Sequence, residues 1–245
     1  ARSGSGSPMP REIRTVLFDL DDTLHDDTLA FTSAAEDVAR EVAAEHGINA
    51  LALKAAYIAE AEGFWKQLTA DQARTRMARL RARLWGNALQ TVGLRDTELA
   101  ERSAVNYHNY RQRYFSLYPG ALNLLRDLKA KGKRLGLVTN GVSETHREKI
   151  ALLQITEYFD AIFLSDEVGM VKPDPLLFAH ACEKLESSPA YSAMVGDRYD
   201  RDVAGALAAG LYTILVNVRD EPVPRDAPQP HAVVSSIAEV GPLLP

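Results

Sequence analysis

From Pro119 to Val216 the chain alternates helix-like with strand-like segments, and this alternation constrains the fold more than any other feature. After Tyr118-Pro119-Gly120, residues 121–131, 143–153, 175–185 and 202–209 carry helical patterns, whereas residues 134–138, 161–164, 193–195 and 212–216 are short apolar runs of the strand kind. Strands joined through helices cannot form hairpins; they run parallel, and a parallel sheet is covered on both faces. An earlier run, Thr15-Val16-Leu17-Phe18-Asp19-Leu20, is apolar and ends in acidic residues, the pattern of a buried strand with a polar C-terminal end. It supplies the fifth strand. The expectation is an α/β fold with a doubly wound parallel sheet, whose ligands gather at the C-terminal ends of the strands where the topology switches.

Between the first strand and the others lies a different kind of sequence. Residues 27–115 are rich in Ala, Glu, Arg and Leu, with apolar residues three and four apart and no convincing strand. Gly47, Gly63, Gly86 and Gly93 punctuate the stretch into about four helices, with Asp96 or Thr97 as the N-cap of the last. The domain plan is a flexible tail over residues 1–11 around a start at Met9, a core from residues 12–26 and 116–245, and a helical insert over residues 27–115. Residues 222–230 are Pro-rich and read as a surface loop before a short terminal helix.

Composition narrows the classes. A chain of 245 residues, 46% hydrophobic and 25% charged, has the balance of a soluble globular protein with a sizeable core, so disorder, coiled coil and low complexity drop out. No run approaches the roughly 18 apolar residues of a membrane-spanning helix, and the tail lacks the apolar region of a secretory signal. A membrane partner is not expected. The net charge of −5 argues against indiscriminate binding of nucleic acid. Residues 74–83 form a basic run, with Arg74, Arg76, Arg79, Arg81 and Arg83 around Met77, Leu80 and Leu84, and read as an amphipathic helix with a solvated basic face. Cys182 is the single cysteine, which excludes an intramolecular disulfide and fits a reducing, cytoplasmic location.

The chemistry is concentrated at strand ends. Phe18-Asp19-Leu20-Asp21-Asp22-Thr23-Leu24 delivers Asp19 and Asp21 into one polar turn, where both can face one site. Crowded carboxylates need a cation or hydrogen-bond donors, and an oxygen-only set suits a hard cation such as magnesium. Thr139-Asn140-Gly141 follows another strand and offers a hydroxyl and backbone amides at the start of a helix, a seat for phosphate oxygens. Lys172, in Val171-Lys172-Pro173-Asp174-Pro175, supplies a point positive charge, and Gly196-Asp197-Arg198-Tyr199-Asp200-Arg201-Asp202 adds a second acidic cluster. A nucleophile, an acid, a cation site, phosphate donors and a lysine are the parts needed for phosphoryl transfer through a carboxylate.

On these motifs the chain resembles the haloacid dehalogenase superfamily, in the branch with a helical cap between the first and second motifs; the likeness runs over residues 15–216. The resemblance implies a Rossmann-like core and assigns roles to the matching positions. Asp19, Asp21 and Thr23 match the family's Asp-x-Asp-x-Thr motif, with Asp19 as nucleophile and magnesium ligand and Asp21 as acid, base and backbone-carbonyl ligand. Thr139, Asn140 and Gly141 would hold phosphate, Lys172 would neutralise Asp19 and the phosphate, Asp197 would bind magnesium, and Asp202 would orient Lys172 or a metal-bound water. Dehalogenases of the family lack the second acid, because a departing halide needs no proton. The implied activity is a magnesium-dependent phosphatase acting on a small phosphorylated metabolite, with nucleotide and sugar phosphates as candidates, in a monomer or homodimer.

Two other readings share parts of this pattern. A phosphomutase uses the same nucleophile and metal, although Thr23 favours hydrolysis, since family mutases resemble an Asp-x-Asp-Gly form. A receiver-like signalling domain also has an acidic pair, a threonine and a lysine, but in another order and without a large insert. His25 could touch a leaving group or be an ordinary loop histidine, and Arg198 and Arg201 could contact substrate or be solvated. His108, His146 and His180 lack metal-ligand spacing and are assigned no chemistry. Phe64, Trp65 and Trp85 could line a pocket, but helical spacing favours core packing.

Overall fold

The computed structural model describes residues 12–66 and 76–244. The expected tail, the start at Met9 and Arg74 of the basic run lie outside them. Six parallel strands form one sheet: β1 (Thr15–Phe18), β2 (Arg134–Thr139), β3 (Ala161–Leu164), β4 (Ser192–Gly196), β5 (Tyr212–Val216) and β6 (Ala232–Val234), in the order β3-β2-β1-β4-β5-β6. The chain moves outward from β1 to β3 and then crosses to β4 on the other side. That reversal puts the switch point at the C-terminal end of β1.

Strand β1 is buried along its whole length, and its side chains alternate between two cores. Val16 and Phe18 pack with Leu124, Leu125 and Leu128 of α5 (Ala121–Ala130), while Leu17 packs with Leu177, Phe178 and Cys182 of α8 (Pro175–Lys184). The remaining core helices are α6 (Ser143–Leu152), α7 (Ser165–Val168) and α9 (Ala204–Ala208). The sixth strand was not expected, because Ala232–Val234 is a three-residue edge segment directly after the Pro-rich loop. The terminal helix takes the form of two 3₁₀ turns, Ile237–Glu239 and Gly241–Leu243. The helix expected at residue 202 is preceded by a π-helical turn, Tyr199–Val203.

Among the described residues the insert holds four helices, α1 (Asp27–His46), α2 (Ala50–Lys66), α3 (Met77–Thr91) and α4 (Thr97–Arg113). Gly47 ends α1 in the left-handed conformation with φ 67°, but Gly63 and Gly86 lie inside helices rather than between them. Asp26 caps α1 through Leu29 N and Asp96 caps α4 through Leu99 N. The four helices share a core centred on Tyr57 and Trp85, stacked at 3.9 Å between ring centroids, with Tyr107 edge-on to Tyr57 at 4.9 Å. The two chain crossings into the insert lie side by side: Asp26 N donates to Ser116 O at 3.1 Å and Tyr118 N to Leu24 O at 2.9 Å. No helix among the described residues is long and apolar enough to cross a membrane.

Candidate active site

Asp19 follows the last residue of β1, and its backbone N–H donates to Val195 O on β4, which fixes it at the switch point. Lys172 Nζ lies 2.5 Å from Asp19 Oδ1 and 2.6 Å from Asp202 Oδ1, with all three side chains nearly excluded from solvent. Asp202 reaches this position because the π-helical turn folds it back beneath β4, where it also accepts from Arg198 N at 2.9 Å. The fold-back needs Gly196: a Cβ there would lie 2.4 Å from Asp202 Cγ. Thr23 Oγ1 donates to Asp19 Oδ2 at 3.3 Å and lies 3.5 Å from Asp197 Oδ1.

Carboxylate oxygens of Asp19, Asp197 and Asp202 all lie within 4.8 Å of one another. Burial, and then the charge of Asp202, push the Asp19 carboxyl up to about 7 although Lys172 opposes them. Burial together with the charges of Asp19 and Asp202 raises Asp197 well above the usual carboxylate range. The Lys172 ammonium is correspondingly raised, since its two carboxylate partners outweigh the cost of burial. Three crowded carboxylates thus outnumber the two protein cations beside them, Lys172 and Arg219, and this net-negative set of oxygens fits a hard divalent cation.

Thr139 ends β2 with 2% exposure, and its carbonyl accepts from Ser165 Oγ at 3.1 Å. The Asn140 side chain grips the lysine segment instead of pointing free: its Oδ1 accepts from Lys172 N at 2.7 Å and its Nδ2 donates to Lys172 O at 2.9 Å. What remains for a bound anion is the Thr139 hydroxyl and the backbone amides leading to α6. Asp200 is exposed and paired with Arg198, away from the cluster.

The Asp21 carboxylate is held from α6. Oδ1 accepts from Lys149 Nζ at 2.6 Å and Oδ2 from His146 Nε2 at 3.2 Å, both on α6. Burial and the neighbouring Asp27 act to raise the Asp21 carboxyl, yet Lys149 and His146 outweigh them and hold it below the usual range. Lys149 also donates to Asp27 Oδ1 at 2.7 Å, and Arg111 of α4 pairs with the same carboxylate. Asp21, His25 and Asp27 form a second close acidic group, but Lys149 and Arg111 already stand against it, so the protein supplies its own cations there.

Sequence reasoning missed Lys149, Arg219 and His146, the last of which had been assigned no chemistry. A signal existed for two of them. His146 and Lys149 of α6 are buried in line with the flanking Val142 and Leu153 at helical spacing, and a lysine on such a face requires a carboxylate partner. Arg219 follows β5, pairs with Asp22 and places Nη1 3.3 Å from Asp197 Oδ2. His25 is fully buried, donating through Nδ1 to Ser116 O at 2.8 Å, so it fastens the crossing instead of facing a leaving group. Arg201 donates to Trp65 O at 2.8 Å and ties the core to the insert, whereas Trp85 lies wholly in the insert's core.

Comparison with known proteins agrees with this geometry. A family model for hydrolases of the haloacid dehalogenase-like kind matches residues 13–210. A glyceraldehyde 3-phosphate phosphatase of Methanothermobacter thermautotrophicus is 32% identical over 84% of this chain and 86% of its own. An N-acylneuraminate-9-phosphatase of Rattus norvegicus is 32% identical over 95% of this chain and 94% of its own. Among solved structures, a magnesium-bound HAD-hydrolase of Bacillus subtilis aligns with a TM-score of 0.74 at 25% identity, over 96% of this chain and 99% of that one. Sheet order, strand-end motifs and these likenesses agree: the chain belongs to the haloacid dehalogenase-like hydrolases.

Proposed function

We propose that the protein hydrolyses a small phosphate monoester through a phosphorylated Asp19, with magnesium held by the carboxylates of Asp19 and Asp197 and the backbone carbonyl of Asp21. The observation that carries this reading is the buried chain Asp19–Lys172–Asp202, at 2.5 and 2.6 Å, beside Asp197. The lysine neutralises one side of the nucleophile, and Asp19, Asp197 and Asp202 together still outnumber Lys172 and Arg219. Bound magnesium would relieve that crowding and draw charge from the phosphate oxygens.

Asp19 attacks phosphorus as the ester P–O bond breaks, and Asp21, ionised in the free protein, takes the proton of the bound phosphate monoanion and passes it to the departing alcohol oxygen. Asp21 then takes a proton from the water that attacks the phosphorylated Asp19, which releases inorganic phosphate and restores the carboxylate. The Thr139 hydroxyl and the backbone amides of Asn140 and Gly141 hold phosphate oxygens, and Lys172 offsets their charge. Because a halide departs without a proton, Asp21 favours an ester over a carbon–halogen bond. Phosphatases among the relatives favour the same class, and the substrate is a small phosphorylated metabolite such as a sugar or nucleotide phosphate. Residues 27–115 act as a cap over a core of residues 12–26 and 116–245, closing about the paired crossings to exclude water.

The test is phosphate release from a panel of alkyl, sugar and nucleotide monoesters, with magnesium or with EDTA, beside Asp19→Asn. Magnesium-dependent turnover lost in the variant supports the mechanism. A folded, magnesium-loaded protein that releases no phosphate but transfers it between sugar hydroxyls is a phosphomutase, and the hydrolytic reading is then wrong.

A further inference from the structure

Lys149 is a charged side chain with 2% exposure that none of the steps above employs. It sits on α6, the helix that begins directly after the Thr139-Asn140-Gly141 turn, and its ammonium bridges two carboxylates: Asp21 at 2.6 Å and Asp27, in the first turn of α1, at 2.7 Å. One turn earlier on the same face, His146 donates to the other oxygen of Asp21 at 3.2 Å. Both oxygens of Asp21 are therefore occupied by one helix. His146 attains this position only because residue 141 is glycine, since a Cβ there would lie 2.1 to 2.4 Å from atoms of the imidazole ring. The phosphate-binding turn thus lacks a side chain at the one place where a side chain would push His146 away from Asp21.

We propose that Lys149 and His146 are positioning residues that fix where the Asp21 carboxylate stands, and that Lys149, by sharing its charge with Asp27, ties that position to the first turn of the helical insert. The inference rests on the phosphatase reading for what Asp21 does, but the geometry stands independently of it. Without the ammonium, two carboxylates bridged by a single nitrogen repel each other, and Asp21 as the more exposed of the pair is displaced. A displacement of about 1 Å in a proton-transfer group lowers turnover by up to roughly a hundredfold while leaving binding of the phosphate intact.

The experiment compares wild type, Lys149→Met, His146→Leu, His146→Gln, Asp21→Asn and the Lys149→Met/Asp21→Asn double variant. Each is assayed on an alkyl phosphate, whose departing alkoxide needs a proton, and on p-nitrophenyl phosphate, whose phenolate departs without one. Lys149→Met should lower kcat on the alkyl ester by about tenfold to a hundredfold at nearly constant KM, with a smaller loss on the nitrophenyl ester. His146→Gln, which keeps an N–H donor, should retain more activity than His146→Leu. The double variant should be no slower than Asp21→Asn alone, because Lys149 acts through Asp21. Crystal structures of wild type and Lys149→Met should differ in the Asp21 side-chain position. An unmoved Asp21, or losses in the double variant that simply multiply, would overturn the proposal. If the wild type itself lacks turnover, the phosphatase reading fails while the crystal structures still decide the positioning. If Lys149→Met does not fold, the His146 pair decides it through the same kinetic and structural readouts.

Discussion

Arg219 Nη1 lies 3.3 Å from Asp197 Oδ2, so a cation belonging to the protein stands at the carboxylate proposed to bind magnesium. The same guanidinium holds Asp22, whose carboxylate also accepts from Thr28 N and Thr28 Oγ1 at 2.8 Å each. Arg219 is therefore anchored on one side and competes with metal on the other. Replacing it with alanine removes the competitor, and the magnesium concentration giving half-maximal thermal stabilisation should fall severalfold. A midpoint that stays put or rises would mean that Arg219 does not contend for Asp197.

Asp19→Asn should reduce phosphate release at least about a thousandfold, since the covalent step has no substitute nucleophile. It should also raise the melting temperature of metal-free protein at neutral pH. One of three crowded, buried carboxylates is then neutral, while Lys172 retains Asp202 at 2.6 Å. Calorimetry in EDTA checks this, and a variant less stable than wild type would contradict the crowding argument.

Asp27 binds Lys149 and Arg111, which overcome its burial and hold its carboxyl well below the usual range. A depressed carboxyl adds stability that is present above the unfolded value of about 4 and is lost as pH falls. Asp27→Asn should cost about 2 to 4 kcal/mol at pH 7, because Arg111 loses its carboxylate partner. Denaturant titrations at a series of pH values should show the gap between wild type and variant narrowing below about pH 4. A gap that is constant with pH would assign the loss to packing alone.

Trp85 is fully buried and stacks on Tyr57 in the core of the insert, far along the chain from any proposed metal ligand. Trp85→Ala should destabilise α1–α4 by about 3 to 5 kcal/mol. Hydrogen exchange should accelerate there first, with amides of β1 and β4 still protected. Uniform acceleration across both parts would show that they unfold as one unit.

The sheet was legible because β1 to β5 are apolar runs separated by helical patterns, and the observed bounds of β3 and β5 coincide with those expected from sequence. Strand β6 escaped because three half-exposed residues after a Pro-rich loop carry no alternation long enough to detect. Gly63 and Gly86 misled for a related reason: packing in the insert's core holds α2 and α3 helical through residues that favour interruption. Asp19, Asp197 and Asp202 could be named because each comes shortly after a strand within a short motif, and Lys172 because it stands in a short motif just before α8. Those around Asp21 could not, since Lys149, Asp27 and Arg111 meet only in three dimensions, from α6, α1 and α4.

The chain enters the helical insert at residues 24–26 and returns at residues 116–118 through neighbouring, hydrogen-bonded segments. A sheet completed in this way does not depend on how many residues pass between the two crossings, only on their ends being adjacent. The crossing is a socket. With the two crossings adjacent, the register of β1 with β2 and β4 is set by the core strands themselves, and the length of chain passing through the insert is left free.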